Sequence, residues 1–267
     1  MVWWHYLLLA GVGCIAGILN VLAGGGSLIL MPVMVFLDIP GAVTNGTVRI
    51  AILGQNLTAI AGFKQKGFSD YRLSLTLALC ALPGTVIGAF LGTKLSNAWF
   101  NRVLAIVMLG VLVTMIFGNR KKKKPKQNEE ENSTGSEGLE NLSEGTVSEK
   151  PVPVTAYLLM VLAGFYGGFI QAGVGFILIA IIHNVMNIDL LRTNMHKVFI
   201  VALYTVAAIG IFAWQGQVLW GTGLILMIGM SVGGWIGSNL AVRKGDAFIR
   251  IVLYIALVCM SIKLLFM

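Results

Sequence analysis

Two short polar stretches carry most of the chemistry available to this otherwise apolar chain: TNGTVRI, from Thr44, and TNMHKVF, from Thr193. The first presents Thr44, Asn45 and Thr47 before a cation, Arg49; the second presents Thr193, Asn194 and His196 before Lys197. Hydroxyl and amide donors grouped with one or two cations suit a small oxyanion, because charge-assisted hydrogen bonds to oxygen are the strong ones. Taken singly, either cation also reads as an interfacial side chain snorkelling towards water. His196 could respond to pH or serve as a satisfied interfacial imidazole. Gln55 and Asn56, two turns further on, and Gln171 could line a cavity or bond between helices.

Glycines stand beside these stretches. LNVLAGGGSLILMPV, residues 19–33, holds Gly24, Gly25 and Gly26 inside an apolar run, and AGVGF repeats the break in reduced form at Gly173 and Gly175. Each glycine weakens a helix by about 1 kcal/mol relative to alanine. Broken backbone survives in hydrocarbon only where protein or a wet cavity satisfies its polar groups. The breaks are therefore expected to face a cavity, with the helix starts beyond them offering N–H groups and a positive dipole end to an anion. The alternative is close helix packing through small residues.

Other chemistry is thin. Asp38, Asp70, Asp189 and Asp246 all lie near the ends of apolar segments, which argues against a carboxylate proton relay through the membrane. HExxH, GxSxG and Walker sequences are missing, so neither an enzyme nor a cofactor is expected. Cys14, Cys80 and Cys259 sit singly, without metal-ligand spacing, and read as packing residues.

The elements that must position these groups are membrane helices. The chain has 267 residues, 57% hydrophobic and 11% charged, with a mean hydropathy of +0.85. Apolar stretches near the length of a span recur throughout, which predicts an all-α, multi-pass integral membrane protein. No basic n-region precedes the first stretch, so it reads as a retained helix with Trp3, Trp4 and Tyr6 at the interface. The net charge of +8 does not point to nucleic acid. Arg120, Lys121 to Lys124 and Lys126 cluster at the end of a hydrophobic helix, where they read as a positive-inside signal.

Residues 119–153 separate two membrane halves, 1–118 and 154–267. Every glutamate, from Glu129 to Glu149, lies in this stretch, which reads as a solvated, disordered cytoplasmic linker. Each half holds five apolar segments: 3–22, 26–37, 47–63, 73–95 and 101–117, then 154–171, 175–187, 196–214, 218–241 and 248–266. The second segment of each half is too short to span as a helix, and such paired, glycine-interrupted segments point to a transporter's binding site. An ungapped offset of 149 residues aligns Ala23 with Ala172, Thr44-Asn45 with Thr193-Asn194, Gly67 with Gly216, Gly84 with Gly233 and Gly88 with Gly237. One register held across four segments indicates internal duplication. With the linker inside, Lys64, Lys66, Arg72, Arg192, Lys197, Arg243, Lys244 and Arg250 also fall inside, leaving mainly Arg49, Lys94 and Arg102 outside. The halves are then inverted repeats with short, broken or re-entrant central helices, and both termini lie outside.

The pattern resembles the TauE/SafE sulfite-exporter family. GILNVLAGGGSLILMP from Gly17, GFYGGFIQAGVGF from Gly164 and the long block from Gly216 to Arg250 carry the likeness. It implies a multi-pass inner-membrane permease for sulfite or organosulfonates, with substrate between inverted repeats. On that likeness Gly24, Gly25 and Gly26 match the first glycine motif, and Gly173 and Gly175 match the second. Thr47 with Arg49, and Asn194 with Lys197, resemble the family's paired polar-plus-basic elements. Asn20 stands where many relatives carry an acid, and Val174 interrupts the second glycine triplet. The expected function is export or facilitated passage of a small anion. A membrane scaffold and a passive anion channel, with the linker docking a partner, are the alternatives. The expected partners are a small anion and the bilayer, with a homodimer among the assemblies left open.

Overall fold

The computed structural model describes residues 3–67, 70–118 and 152–243, and among them every regular element is helical. The helices are α1 (Trp3–Ala23), α2 (Gly26–Phe36), α3 (Gly41–Lys64), α4 (Tyr71–Gly92), α5 (Asn97–Gly118), α6 (Val154–Phe169), α7 (Val174–Ile179), α8 (Leu190–Trp214) and α9 (Trp220–Arg243). α7 runs directly into a π-helical turn, Ala180–Val185. The basic cluster and nearly all of the expected linker lie outside the described residues. So do the expected tenth segment, Lys244, Asp246, Arg250, Cys259 and the side chains of Trp3, Trp4, Tyr6 and Arg243.

α4, α8 and α9 are long and apolar enough to cross a bilayer. Large apolar side chains such as Ile87, Leu162, Val206 and Ile228 stand exposed on the outside of the bundle, where lipid would meet them. α2 has 11 residues and Pro32 within it, giving a length of about 16 Å against a hydrocarbon core of about 30 Å. α7 is shorter still. The second segment of each half is thus a broken helix, as its length and glycines predict.

α3 and α8 begin earlier than their hydropathy suggests, at Gly41 and Leu190. Pro40 starts α3, and the Asp189 carboxylate accepts from Leu191 N and Arg192 N to start α8. The two Thr-Asn stretches therefore lie inside the first turns of helices rather than before them. Their side chains are buried against protein, so they lower the apolar signal without ending the helix.

The backbone repeats its unusual positions. Positive φ occurs at Gly24 and Gly173, at Asp38 and Asn187, and at Gly67 and Gly216, each pair 149 residues apart. Packing is reciprocal between the halves: α1 runs along α9, α4 along α6, α3 against both α8 and α9, and α4 against α8. Small residues set these crossings. A Cβ on Gly88 would sit 2.0 Å from the Phe165 carbonyl oxygen, and one on Gly233 would sit 2.1 Å from that of Cys14. Backbones in contact at that range use the small-residue packing that holds membrane helices together where no hydrophobic drive exists between them.

Candidate functional site

The two helix breaks cross each other at the centre of the bundle. A Cβ added to Gly24 would lie 2.5 Å from the Gly175 Cα, and one added to Gly175 would lie 2.3 Å from the Gly24 Cα. Ser27, at the start of α2, ties the crossing together. Its hydroxyl accepts from the Gly173 N–H at 3.1 Å and donates to the Gln171 carbonyl at 3.3 Å. Gln171 holds φ at 60° without being glycine, a left-handed conformation that needs support from its surroundings.

A break leaves the carbonyls at the end of the preceding helix without partners, at the negative end of its dipole. The two predicted cations close these ends, and each closes the end belonging to the other half. Arg49, from α3, is fully buried. Its Nη1 donates to the Gly167 carbonyl at 3.0 Å and to Gln171 Oε1 at 2.8 Å. Its Nη2 donates to Asn45 Oδ1 at 3.1 Å and to the Gly168 carbonyl at 2.5 Å. The guanidinium carbon lies 4.8 Å from the centre of the Phe212 ring. Asn45 Nδ2 takes the Phe169 carbonyl at 2.7 Å, which completes the end of α6.

Lys197, from α8, does the same for α1. Its Nζ donates to the Asn20 carbonyl at 3.2 Å, the Val21 carbonyl at 2.8 Å and Asn194 Oδ1 at 2.7 Å. Each cation thus takes an asparagine from its own helix as a brace: Asn45 four residues before Arg49, Asn194 three before Lys197.

A cavity of about 10 Å³ lies at the crossing, room for roughly one water. Asn20, Ser27, Asn56, Gln171 and Lys197 line it with Gly175, and Ile52, Val174 and Val201 complete the wall. Asn20 Nδ2 donates to Gln55 Oε1 at 2.5 Å, and Gln55 Nε2 donates to Asn56 Oδ1 at 3.4 Å. That leaves Asn56 Nδ2 buried without a partner. Gln171 Nε2 is also buried and unpartnered. Its orientation follows from Arg49, which can only donate and so must face the amide oxygen. Two amide donors and an ammonium around a small void make a site for an acceptor, and no carboxylate lines it.

Of the residues singled out in the sequence, Gln171, Gly175 and Lys197 meet at this cavity, and Arg49, Asn45 and Asn194 form the closures beside it. Gly24 makes the crossing, and Gly173 follows Gln171 in the second break. Gly25 starts α2, accepting from Leu28 N at 3.1 Å. Gly26 lies against α1, where a Cβ would come 2.0 Å from the Ala16 carbonyl oxygen.

The hydroxyls and the histidine serve helix starts instead. Thr44 Oγ1 donates to the Ile39 carbonyl, and Thr193 Oγ1 to the Ile188 carbonyl. Thr47 Oγ1 accepts from Leu219 N just before α9, and His196 Nδ1 lies 2.7 Å from Ser74 Oγ in the first turn of α4. Sequence reasoning left out Ser27, weighed Asn56 without placing it in the site, and met Asn20 only as a departure from the family pattern. The signal was there: each is a polar residue beside a break or inside an apolar run.

A polytopic helical membrane protein whose halves exchange cations across two broken helices is the class that fold and site define. Residues 9–264 match the model of the sulfite exporter TauE/SafE family, and the chain belongs to that family of membrane transporters. Three related proteins are named as probable membrane transporters. ORF9 of a Sinorhizobium species is 27% identical over 252 residues, covering 94% of this chain and 88% of its own length. A Haemophilus influenzae protein is 25% identical over 255 residues, covering 96% of this chain and 92% of its own. YfcA of Escherichia coli K12 is 24% identical over 258 residues, covering 96% of this chain and 87% of its own. No solved structure matches the chain.

Proposed function

We propose that the chain is a permease for a small anion, sulfite or an organosulfonate, exported through the cavity at the crossing of the two breaks. The observation that carries this reading is the pair of buried, unpartnered amide donors, Asn56 Nδ2 and Gln171 Nε2, in a cavity shared with Lys197. A buried donor without an acceptor is costly, and an anionic oxygen supplies what each one lacks. Lys197 moves from the α1 carbonyls to the anion when the cavity enlarges, so binding substrate and releasing the end of α1 are one event. The void, about 10 Å³, is smaller than a sulfur oxyanion, so binding requires the cavity to enlarge.

The two halves act as inverted repeats of five segments, with the linker in the cytoplasm and both termini outside. The paired positive-φ positions and the reciprocal closures support that duplication, and alternating access then moves one half against the other about the crossing. Protein reconstituted in liposomes passes labelled sulfite or methanesulfonate in a saturable manner, and Lys197→Gln and Asn56→Leu each lose most of that flux. Full flux in both variants removes this cavity from the mechanism. Currents that do not saturate turn the reading to a passive channel.

A further inference from the structure

Asn56 serves an anion only if its amide offers nitrogen, not oxygen, to the cavity. The residue that decides this is its neighbour Gln55, which is fully buried and is not part of the cavity wall. A primary amide carries its acceptor on one side and its donors on the other, so amides linked in a row share one direction. Here the row starts at Asn20, whose Nδ2 donates to Gln55 Oε1 at 2.5 Å, and Gln55 Nε2 donates onward to Asn56 Oδ1 at 3.4 Å. With its oxygen taken, Asn56 keeps Nδ2 for the cavity it lines. Run the other way, the same three side chains would occupy Nδ2 and leave Oδ1, an atom that repels an anion.

α9 holds the middle of the row in place. A Cβ on Gly234 would lie 2.6 Å from the Gln55 carbonyl oxygen and 2.9 Å from Gln55 Cγ, so the backbone of α9 abuts the stem of this side chain. Helix packing alone does not call for such a row. At the offset of 149 residues, Asn20, Gln55 and Asn56 correspond to Phe169, Tyr204 and Thr205. Phe169 has no polar group to begin a row, yet α6 and α8 form all the same.

We infer that Gln55 is a positioning residue which, together with Asn20, fixes Asn56 as a donor and so makes the cavity select an anion. This rests on the permease reading above. Lys197 is the charged side chain that lines the cavity. Its ammonium supplies attraction, and the row supplies a directed N–H beside it. An Asn56 turned the other way would present Oδ1 in the same space, where it would compete with the anion for the ammonium.

Gln55→Glu tests the direction of the row, because only the protonated acid repeats the pattern of glutamine. Its carbonyl accepts from Asn20 and its O–H donates to Asn56 Oδ1. The carboxylate can only accept, so Asn56 must turn Nδ2 away from the cavity to meet it. The measurement is saturable flux of labelled methanesulfonate, whose charge stays constant, into liposomes between about pH 5 and pH 9. Taken as a ratio to wild type at each pH, flux of the variant falls roughly tenfold or more towards the alkaline end, the worth of a hydrogen bond to a charged group, and recovers at the acid end. Gln55→Met, which has no titrating group, raises the half-saturation concentration at every pH and leaves the maximal rate nearly unchanged. A Gln55→Glu ratio that does not change with pH overturns the positioning role, as does wild-type half-saturation in Gln55→Met. Absence of saturable flux in the wild-type protein overturns the permease reading itself, and this role with it.

Discussion

Gly175→Ala tests the crossing of the two breaks directly. Gly175 is the second residue of α7 and has no positive φ, so alanine brings no backbone strain of its own. What it brings is a methyl group 2.3 Å from the Gly24 Cα and 2.7 Å from the Gly24 carbonyl oxygen. Carbon atoms rest at about 3.5–4.0 Å, so the two breaks must part by more than about 1 Å. Both neighbours are backbone atoms, which cannot swing aside as a side chain would. Overpacking of this kind costs about 1–3 kcal/mol, and here the displaced strands also carry the Ser27 hydrogen bonds and the cavity wall. The assay is thermal unfolding in detergent together with liposome flux, beside two controls. Gly210→Ala lies in α8 with nothing within 4 Å and should leave stability level or slightly raised. Gly67→Ala also meets open space but carries a φ of 83°, so it reports backbone strain of about 1–2 kcal/mol without contact. Gly175→Ala should lose flux and melt below the Gly210 variant. Wild-type melting and flux in Gly175→Ala would falsify the backbone-to-backbone crossing.

Arg49→Met removes the guanidinium from the end of α6 and leaves the Gly167 and Gly168 carbonyls and Gln171 Oε1 without that partner; a loss of about 3 kcal/mol or more should appear as a sharp fall in melting temperature. Arg49→Lys should recover only part of it, since one ammonium cannot reproduce the planar fork that reaches four acceptors, and full recovery would mean that the charge alone matters. His196→Ala leaves Ser74 without its ring partner and should lower stability by about 1 kcal/mol, with Ser74→Ala adding little further because both changes break the same contact; additive losses would separate them. Deletion of residues 121–149 should leave most anion flux intact, whereas a scaffold would lose its activity.

Much of this architecture is legible along the chain because it rests on local pattern. Hydropathy marks the helices, and the glycines at 24–26, 173 and 175 mark where two of them break. The register of 149 residues foretells that positive φ will recur at corresponding places, as it does at Gly24 and Gly173. The paired Thr-Asn stretches single out Arg49 and Lys197, both of which the fold buries against helix ends. Only packing decided what each polar residue does once there. Thr44, Thr47 and His196 have the chemistry of ligands, yet they hold the starts of helices, because a buried helix start has N–H groups and neighbours that need partners. Ser27, which the sequence reading passed over, and Asn56, which it weighed between a cavity and an interhelical bond, both line the cavity.

The sequence by itself determined that the chain is a helical membrane protein with two glycine-broken segments, and it singled out Arg49 and Lys197 without settling whether they are buried. Only the tertiary structure decided that the cations are exchanged, Arg49 closing α6 and Lys197 closing α1. The physical reason is that periodicity and spacing describe one helix at a time, whereas a carbonyl left open by a break is satisfied by whichever donor the folded halves bring within about 3 Å of it.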